Sequence, residues 1–168
     1  MVIADLLREL WRSPGATHPF RPLSVMVRAW IEESEGNEAR WLNRALVREG
    51  LRVFEELATD RVSEVLLATD LHAGNVLRAQ RSPWLVIDPK PFVGDPAFDA
   101  TQHLLNCESR MRAAPLETIG RFASLLGVDA DRVRRWMFAR GAAENRDDWR
   151  DDTWSEIARA LAPRAKPR

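Results

Sequence analysis

The chain has 168 residues with 25 basic and 25 acidic side chains, so no net charge draws it toward nucleic acid or a membrane surface. Apolar residues make up 45%, as in an ordinary globular domain, and no apolar run approaches the ~20 residues that span a bilayer. A single cysteine, Cys107, excludes an internal disulfide, and the opening residues lack the basic start and long apolar run of a signal peptide; the expectation is one cytoplasmic domain.

Leu6, Leu7, Leu10 and Trp11 recur at helical spacing and predict a first helix, ended by Ser13-Pro14-Gly15. Pro19 and Pro22 mark an irregular link. A second helix is expected from Leu23 to about Glu33, broken near Gly36. A longer one should follow from Glu38 to Leu57, with Trp41, Leu42, Ala45, Leu46, Val53 and Leu57 on its inner face. Gly50 weakens that helix by ~1 kcal/mol against Ala. The period then changes. Val65 to Ala68 and Trp84 to Ile87 are short continuous apolar runs, separated by Asn75 to Ala79 and the turn chemistry of Arg81-Ser82-Pro83. Short strands should therefore flank the segment 68–77. Asp95 as N-cap and Pro96 in the first turn predict a helix through His103. Leu116 to Leu126, stopped by Gly127, is the next; Asp129 caps another that carries Val133, Trp136 and Met137 on one face. A last helix runs from about Asp152 to Leu161. The fold class is α+β, mostly α, with a small β hairpin around the loop that carries the chemistry.

That loop is Asp70-Leu71-His72-Ala73-Gly74-Asn75, and Ile87-Asp88-Pro89 follows after the second apolar run. Phosphoryl transfer needs a carboxylate to orient the attacking hydroxyl and oxygen ligands to hold magnesium on the phosphates. Asp70 can accept the hydroxyl proton. Asn75, five residues along, offers an amide oxygen of the kind magnesium takes, and Asp88 supplies a second oxygen where Pro89 stops the strand. Gly74 and Ala73 leave room for a charged ligand to approach backbone. Taken singly, Asp70 reads as a turn former and Asp88 as a surface strand terminus; the three together, at this spacing, carry the functional reading.

Leu66 to Leu77, Trp84 to Pro91 and Gly94-Asp95-Pro96-Ala97-Phe98-Asp99 resemble the streptomycin 6-phosphotransferase and hydroxyurea kinase family of the aminoglycoside phosphotransferases. The resemblance implies a protein-kinase-like fold, with ATP between a sheet-containing N-terminal lobe and a helical C-terminal lobe. It extends over nearly the whole chain but only onto the C-terminal lobe. It places Asp70 on the catalytic base, Asn75 and Asp88 on the magnesium ligands, and Asp99 on a carboxylate that braces the catalytic loop. Two departures stand out. Ala68-Thr69 replaces the usual His-Gly, which removes an imidazole anchor and predicts a less firmly held loop. No Gly-rich phosphate loop, and no strand Lys with a helix Glu, precedes the motif. The expected organisation is a single C-terminal lobe over 1–168, with the catalytic loop at 68–77, the metal-binding strand end at 84–90 and C-terminal helices over 115–162. An N-terminal ATP-clamping lobe is absent from it, so the chain is expected to be a fragment or a truncated product.

The implied activity is ATP- and Mg2+-dependent phosphorylation of a hydroxyl on an aminoglycoside such as streptomycin, or of a small molecule such as hydroxyurea. A non-catalytic, pseudokinase-like product is the alternative. A metal-dependent phosphoesterase fits less well, because Asp70-x-His72 lacks further His ligands downstream. Glu144, Asp147, Asp148, Asp151 and Asp152, beside Trp149 and Trp154, could form an acidic, aromatic wall for a guanidinium-bearing acceptor; equally, carboxylates at a helix start favour its dipole and face water. His72 reads as a loop residue with a local hydrogen bond, His103 as structural, and Lys90 as solvated. A lobe without its partner would expose apolar surface, so self-association is expected.

Overall fold

The computed structural model describes residues 2–144 and 153–163. Eight helices surround two very small sheets among these residues: α1 Val2–Leu10, α2 Leu23–Gly36, α3 Arg44–Thr59, α4 Pro96–Leu105, α5 Glu108–Ala113, α6 Pro115–Leu126, α7 Ala130–Ala143 and α8 Thr153–Leu161. The strands are β1 Arg21–Pro22, β2 Val65–Leu67, β3 Val76–Arg78, β4 Trp84–Val86 and β5 Phe92–Gly94. The chain is thus α+β and mostly helical.

The core is built around α7. Val133, Trp136, Met137, Phe138, Ala139 and Ala143 on it are fully buried, because α3, α4, α6 and α8 all pack against it. The α3–α7 crossing is closest at Gly50, where an added Cβ would stand 2.8 and 2.9 Å from the β-carbons of Ala142 and Ala143. Gly50 therefore permits a helix contact and is not simply a weak point. Trp136, Phe98, Phe54 and Trp30 form a continuous aromatic group, with Phe98 edge-on to Trp136 at 5.2 Å. Buried Arg140 lies 5.1 Å over Trp30 and bonds Thr101 Oγ1 at 2.7 Å, so α7 is pinned to α4 by polar as well as apolar contacts.

Several boundaries differ from expectation for identifiable reasons. The long helix from Glu38 is a 3-10 turn over Glu38–Arg40 followed by α3, because the Asn43 side chain accepts from Leu46 N–H and restarts the helix there. Trp41 stays buried outside the helix, its indole donating to the Ser34 carbonyl. The expected strand at Val65 is present, but its partner is β5, antiparallel with Leu66 opposite Val93, and β1 joins β5 in parallel on the other edge. Sequence reading missed β5, since Pro89 and Pro91 crowd its start and the strand has only three residues, the last of them Gly94. The hairpin is β3–β4, with Leu77 opposite Leu85, directly after the loop. Asp95 and Pro96 open α4 as expected, with Asp95 Oδ1 accepting from Ala97 N–H, and Asp95 Oδ2 also receives the Trp136 indole.

Candidate functional site

The loop leaves β2 at Leu67 and turns at once. Asp70 N–H bonds the Ala68 carbonyl at 2.7 Å, closing a three-residue turn centred on Thr69, whose φ is 52°. That left-handed value is unfavourable for a β-branched residue, so the turn needs support from outside. Asp99, on the first turn of α4 and 1% exposed, provides it: Oδ1 accepts from Thr69 N–H at 2.7 Å, and Oδ2 accepts from Ala68 N–H and the Trp11 indole, each at 2.9 Å. Burial pushes the Asp99 pKa up to about 6, while the three donated bonds pull it back toward the ordinary value. The Thr69 hydroxyl donates to the Lys90 carbonyl at 2.6 Å, and Lys90 N–H returns a bond to the Ala68 carbonyl at 3.1 Å. The loop expected to be loosely held for want of an imidazole is instead fastened by backbone donors to one carboxylate and by the hydroxyl that Thr69 brings.

Beyond the turn, Asn75 Nδ2 donates to the Asp70 carbonyl at 2.9 Å, which ties the two ends of the loop and leaves the amide oxygen of Asn75 without a partner among the described residues. His72 behaves as a local residue, its Nδ1 accepting from Gly74 N–H at 3.1 Å. Ile87 N–H bonds the Asn75 carbonyl at 3.0 Å, so the chain after β4 runs alongside the loop. Asp88 follows, exposed and with φ 49°. The expectation put it at a strand end; β4 in fact stops at Val86, and a left-handed turn before Pro89 presents the carboxylate. Asp88 makes no hydrogen bond or ion pair with another described residue.

Asp70, Asn75, Asp88 and Asp99 are therefore brought into one neighbourhood by these hydrogen bonds. Among the described residues no three His, Cys, Asp or Glu side chains are grouped to hold a metal. The donor set of one carboxylate and one amide oxygen nonetheless suits magnesium, which keeps waters and takes its remaining oxygens from nucleotide phosphates. Lys90 is exposed, as expected, and its ammonium also stands 2.6 Å from Asp70 Oδ2, a contact that raises its pKa. Trp11 is a residue of the site that sequence reasoning missed, and Lys90 was weighed there only as a solvated side chain or a phosphate contact, not as the partner of Asp70. Trp11 carried no signal, being 88 positions from Asp99, whereas the Pro89-Lys90-Pro91 frame beside Asp88 was visible.

The acidic wall fares differently. Glu144 is engaged by Arg140, which donates Nε to it at 2.7 Å and Nη2 at 3.0 Å. Trp154 is buried in the core and unavailable as an aromatic wall, because α8 needs its inner face to pack on α7. Asp147, Asp148, Asp151, Asp152 and Trp149 lie outside the described residues. His103 is half-buried beside Phe122, with Cys107 Sγ 3.7 Å from its Nε2; partial burial lowers the imidazole pKa and raises that of the thiol.

A braced carboxylate loop, with an amide and a second carboxylate beside it, is the equipment of a phosphotransferase. Residues 1–152 match the family described as aminoglycoside/hydroxyurea antibiotic resistance kinase, and the chain belongs to that family. It is 37% identical over 144 residues to a hydroxyurea phosphotransferase of Kitasatospora aureofaciens, covering 83% of this chain and 41% of the relative. Streptomycin 6-kinases of Streptomyces griseus and Streptomyces glaucescens are 36% and 31% identical over 148 residues, covering 83% of this chain and 48% of each. The chain thus spans less than half the length of the curated relatives it matches. No solved structure matches it significantly. No helix among the described residues is long and apolar enough to cross a membrane.

Proposed function

We propose that this chain is the C-terminal, catalytic lobe of a small-molecule kinase that transfers the γ-phosphoryl group of ATP to a hydroxyl of an aminoglycoside such as streptomycin, or to hydroxyurea. The observation that carries this reading is the joining of Asp70 to Asn75 and Asp99: the loop's leading carboxylate is partly exposed while its backbone is held by a buried one. Asp70 orients the acceptor hydroxyl and takes its proton. Asn75 and Asp88 would hold Mg2+, which when bound neutralises charge on the nucleotide phosphates. Asp99 keeps the loop from relaxing, so Asp70 stays aimed; positioning of this kind supplies most of the catalysis in phosphoryl transfer. Glu144, once released from Arg140, and the acidic residues 147, 148, 151 and 152 remain candidates for the acceptor side.

A nucleotide-clamping lobe would complete the site, whether it comes from a longer chain or from a second polypeptide. Leu77 and Leu85, paired across the β3–β4 hairpin and each about half exposed, are apolar surface that such a partner could cover. The family relationship supports a cytoplasmic enzyme. The test is transfer of labelled phosphate from Mg-ATP to streptomycin or hydroxyurea by the purified chain and by Asp70→Ala, with circular dichroism to show that both fold. Transfer lost in Asp70→Ala supports the reading; full activity in that variant would refute Asp70 as the base. Folded chain with no transfer to either acceptor favours the alternative, a non-catalytic product.

A further inference from the structure

Asp70 is the residue on which the kinase reading depends, and a carboxylate on a loop can rotate about two side-chain bonds. One oxygen is already occupied: Lys90 Nζ stands 2.6 Å from Oδ2, and Oδ1 has no partner among the described residues. Exposed ion pairs usually contribute little, because ordering two flexible side chains offsets the attraction. This one differs in how its ends are held. The Lys90 backbone is tied to the loop twice, by its N–H on the Ala68 carbonyl and by the Thr69 hydroxyl on its own carbonyl. Pro89 and Pro91 on either side restrict it further, since proline fixes its own φ and confines the residue before it to extended backbone. The Asp70 side chain is only 21% exposed, so the pair is partly sheltered. Asp88, two residues before Lys90, adds its charge to the same cation.

We infer that Lys90 is a positioning residue for phosphoryl transfer: its ammonium holds Asp70 by Oδ2 so that Oδ1 faces the acceptor hydroxyl. The inference rests on the kinase reading above. In the step it serves, the acceptor oxygen bonds the γ-phosphorus, the bridging P–O bond to ADP breaks with its electron pair leaving on ADP, and the hydroxyl proton passes to Asp70 Oδ1. Lys90 neither bonds the phosphorus nor takes the proton. With the ammonium gone, Asp70 samples orientations that do not meet the hydroxyl, and kcat falls while KM for the acceptor does not. A second consequence does not need turnover. An ammonium held by Asp70 beside Asp88 opposes a divalent cation at Asp88, so its removal tightens metal binding.

The experiment uses the full chain as wild type, Lys90→Met, Lys90→Arg, Asp70→Asn, Asp88→Asn and Asp70→Asn/Lys90→Met. It measures kcat and KM with Mg-ATP and streptomycin, and Mn2+ affinity by electron paramagnetic resonance. Lys90→Met should lose about tenfold to a hundredfold in kcat at nearly unchanged KM, and Lys90→Arg should recover most of it. Lys90→Met should bind Mn2+ about fivefold more tightly, Lys90→Arg as wild type does, and the gain should shrink in the Asp70→Asn background, where the ammonium is no longer held beside Asp88. Where the chain turns over, wild-type kcat in Lys90→Met, beside an inactive Asp70→Asn, overturns the role of Lys90 alone; full turnover in Asp70→Asn overturns the kinase reading and this inference with it. Where the chain does not turn over, Mn2+ decides: equal affinity in Lys90→Met and wild type, including no binding by either, overturns the inference, and binding lost in Asp88→Asn leaves the kinase reading standing.

Discussion

Asp99 is fully buried, is not paired with a cation among the described residues, and accepts three N–H donors that hold the loop turn. Burial raises its pKa from 3.8 to about 6 in the folded chain. A folded-state pKa above the unfolded value means that the native state holds the proton more tightly. Its stabilising contribution is therefore complete below the ordinary aspartate value and is lost as pH climbs through about 6. The full shift corresponds to about 3 kcal/mol, most of which falls between about pH 4 and pH 7. Other carboxylates titrate over the same range, so the quantity to measure is a difference. Urea denaturation of wild type and Asp99→Asn across that range, analysed as ΔG(wild type) minus ΔG(Asp99→Asn), cancels the groups common to both. The difference should shrink by about 2 kcal/mol from pH 4 to pH 7. A difference that stays flat or grows with pH would refute the reasoning, because the three donors would then outweigh burial and Asp99 would be an ordinary or depressed carboxylate.

Trp11→Phe keeps most of the ring and removes one donor from Asp99; it should cost about 1.5–3 kcal/mol near neutral pH, and less in acid, where the carboxyl is neutral. Denaturation at two pH values checks this. Thr69→Gly relieves a left-handed φ worth about 1–2 kcal/mol but loses the hydroxyl bond to Lys90, worth about 1 kcal/mol, so stability should change by less than about 1 kcal/mol. Thr69→Val keeps the strain and loses the bond, and should fall about 1–2 kcal/mol below wild type; a Val variant as stable as the Gly one would show that the φ value carries no strain. Gly50→Ala gains about 1 kcal/mol of helix propensity, yet its Cβ would meet Ala142 and Ala143 at 2.8 and 2.9 Å. Overpacking of that kind costs about 1–3 kcal/mol, so a net loss of melting temperature is expected, and a gain would mean that the α3–α7 contact can open freely.

What could be read from the sequence followed from how local each signal was. The α4 start was legible because Asp95 and Pro96 satisfy their own backbone within two residues, and the α7 core face because its apolar spacing repeats within one helix. The long helix from Glu38 was misread because periodicity continues through Trp41 and Leu42 while the cap at Asn43, a single hydrogen bond, decides the boundary. β5 escaped because a strand of three residues has no period to detect, and its identity comes from pairing with β2, which lies 27 positions upstream at Leu66 opposite Val93. The site divides in the same way. Asp70, Asn75 and Asp88 stand within 18 positions of one another and advertise their chemistry by spacing; what fastens them does not. Thr69 looked like a lost glycine, and only the fold shows that its hydroxyl reaches Lys90 and its N–H reaches Asp99. Replacing the usual His-Gly by Ala68-Thr69 thus removes an imidazole and a permissive residue but supplies a hydroxyl, so the loop exchanges one anchor for another. The expectation of a looser loop counted the side chain that was missing. The resemblance named Asp99 as a brace, but nothing in the sequence counted the Trp11 indole and two adjacent backbone N–H groups that meet on that buried carboxylate from two parts of the chain.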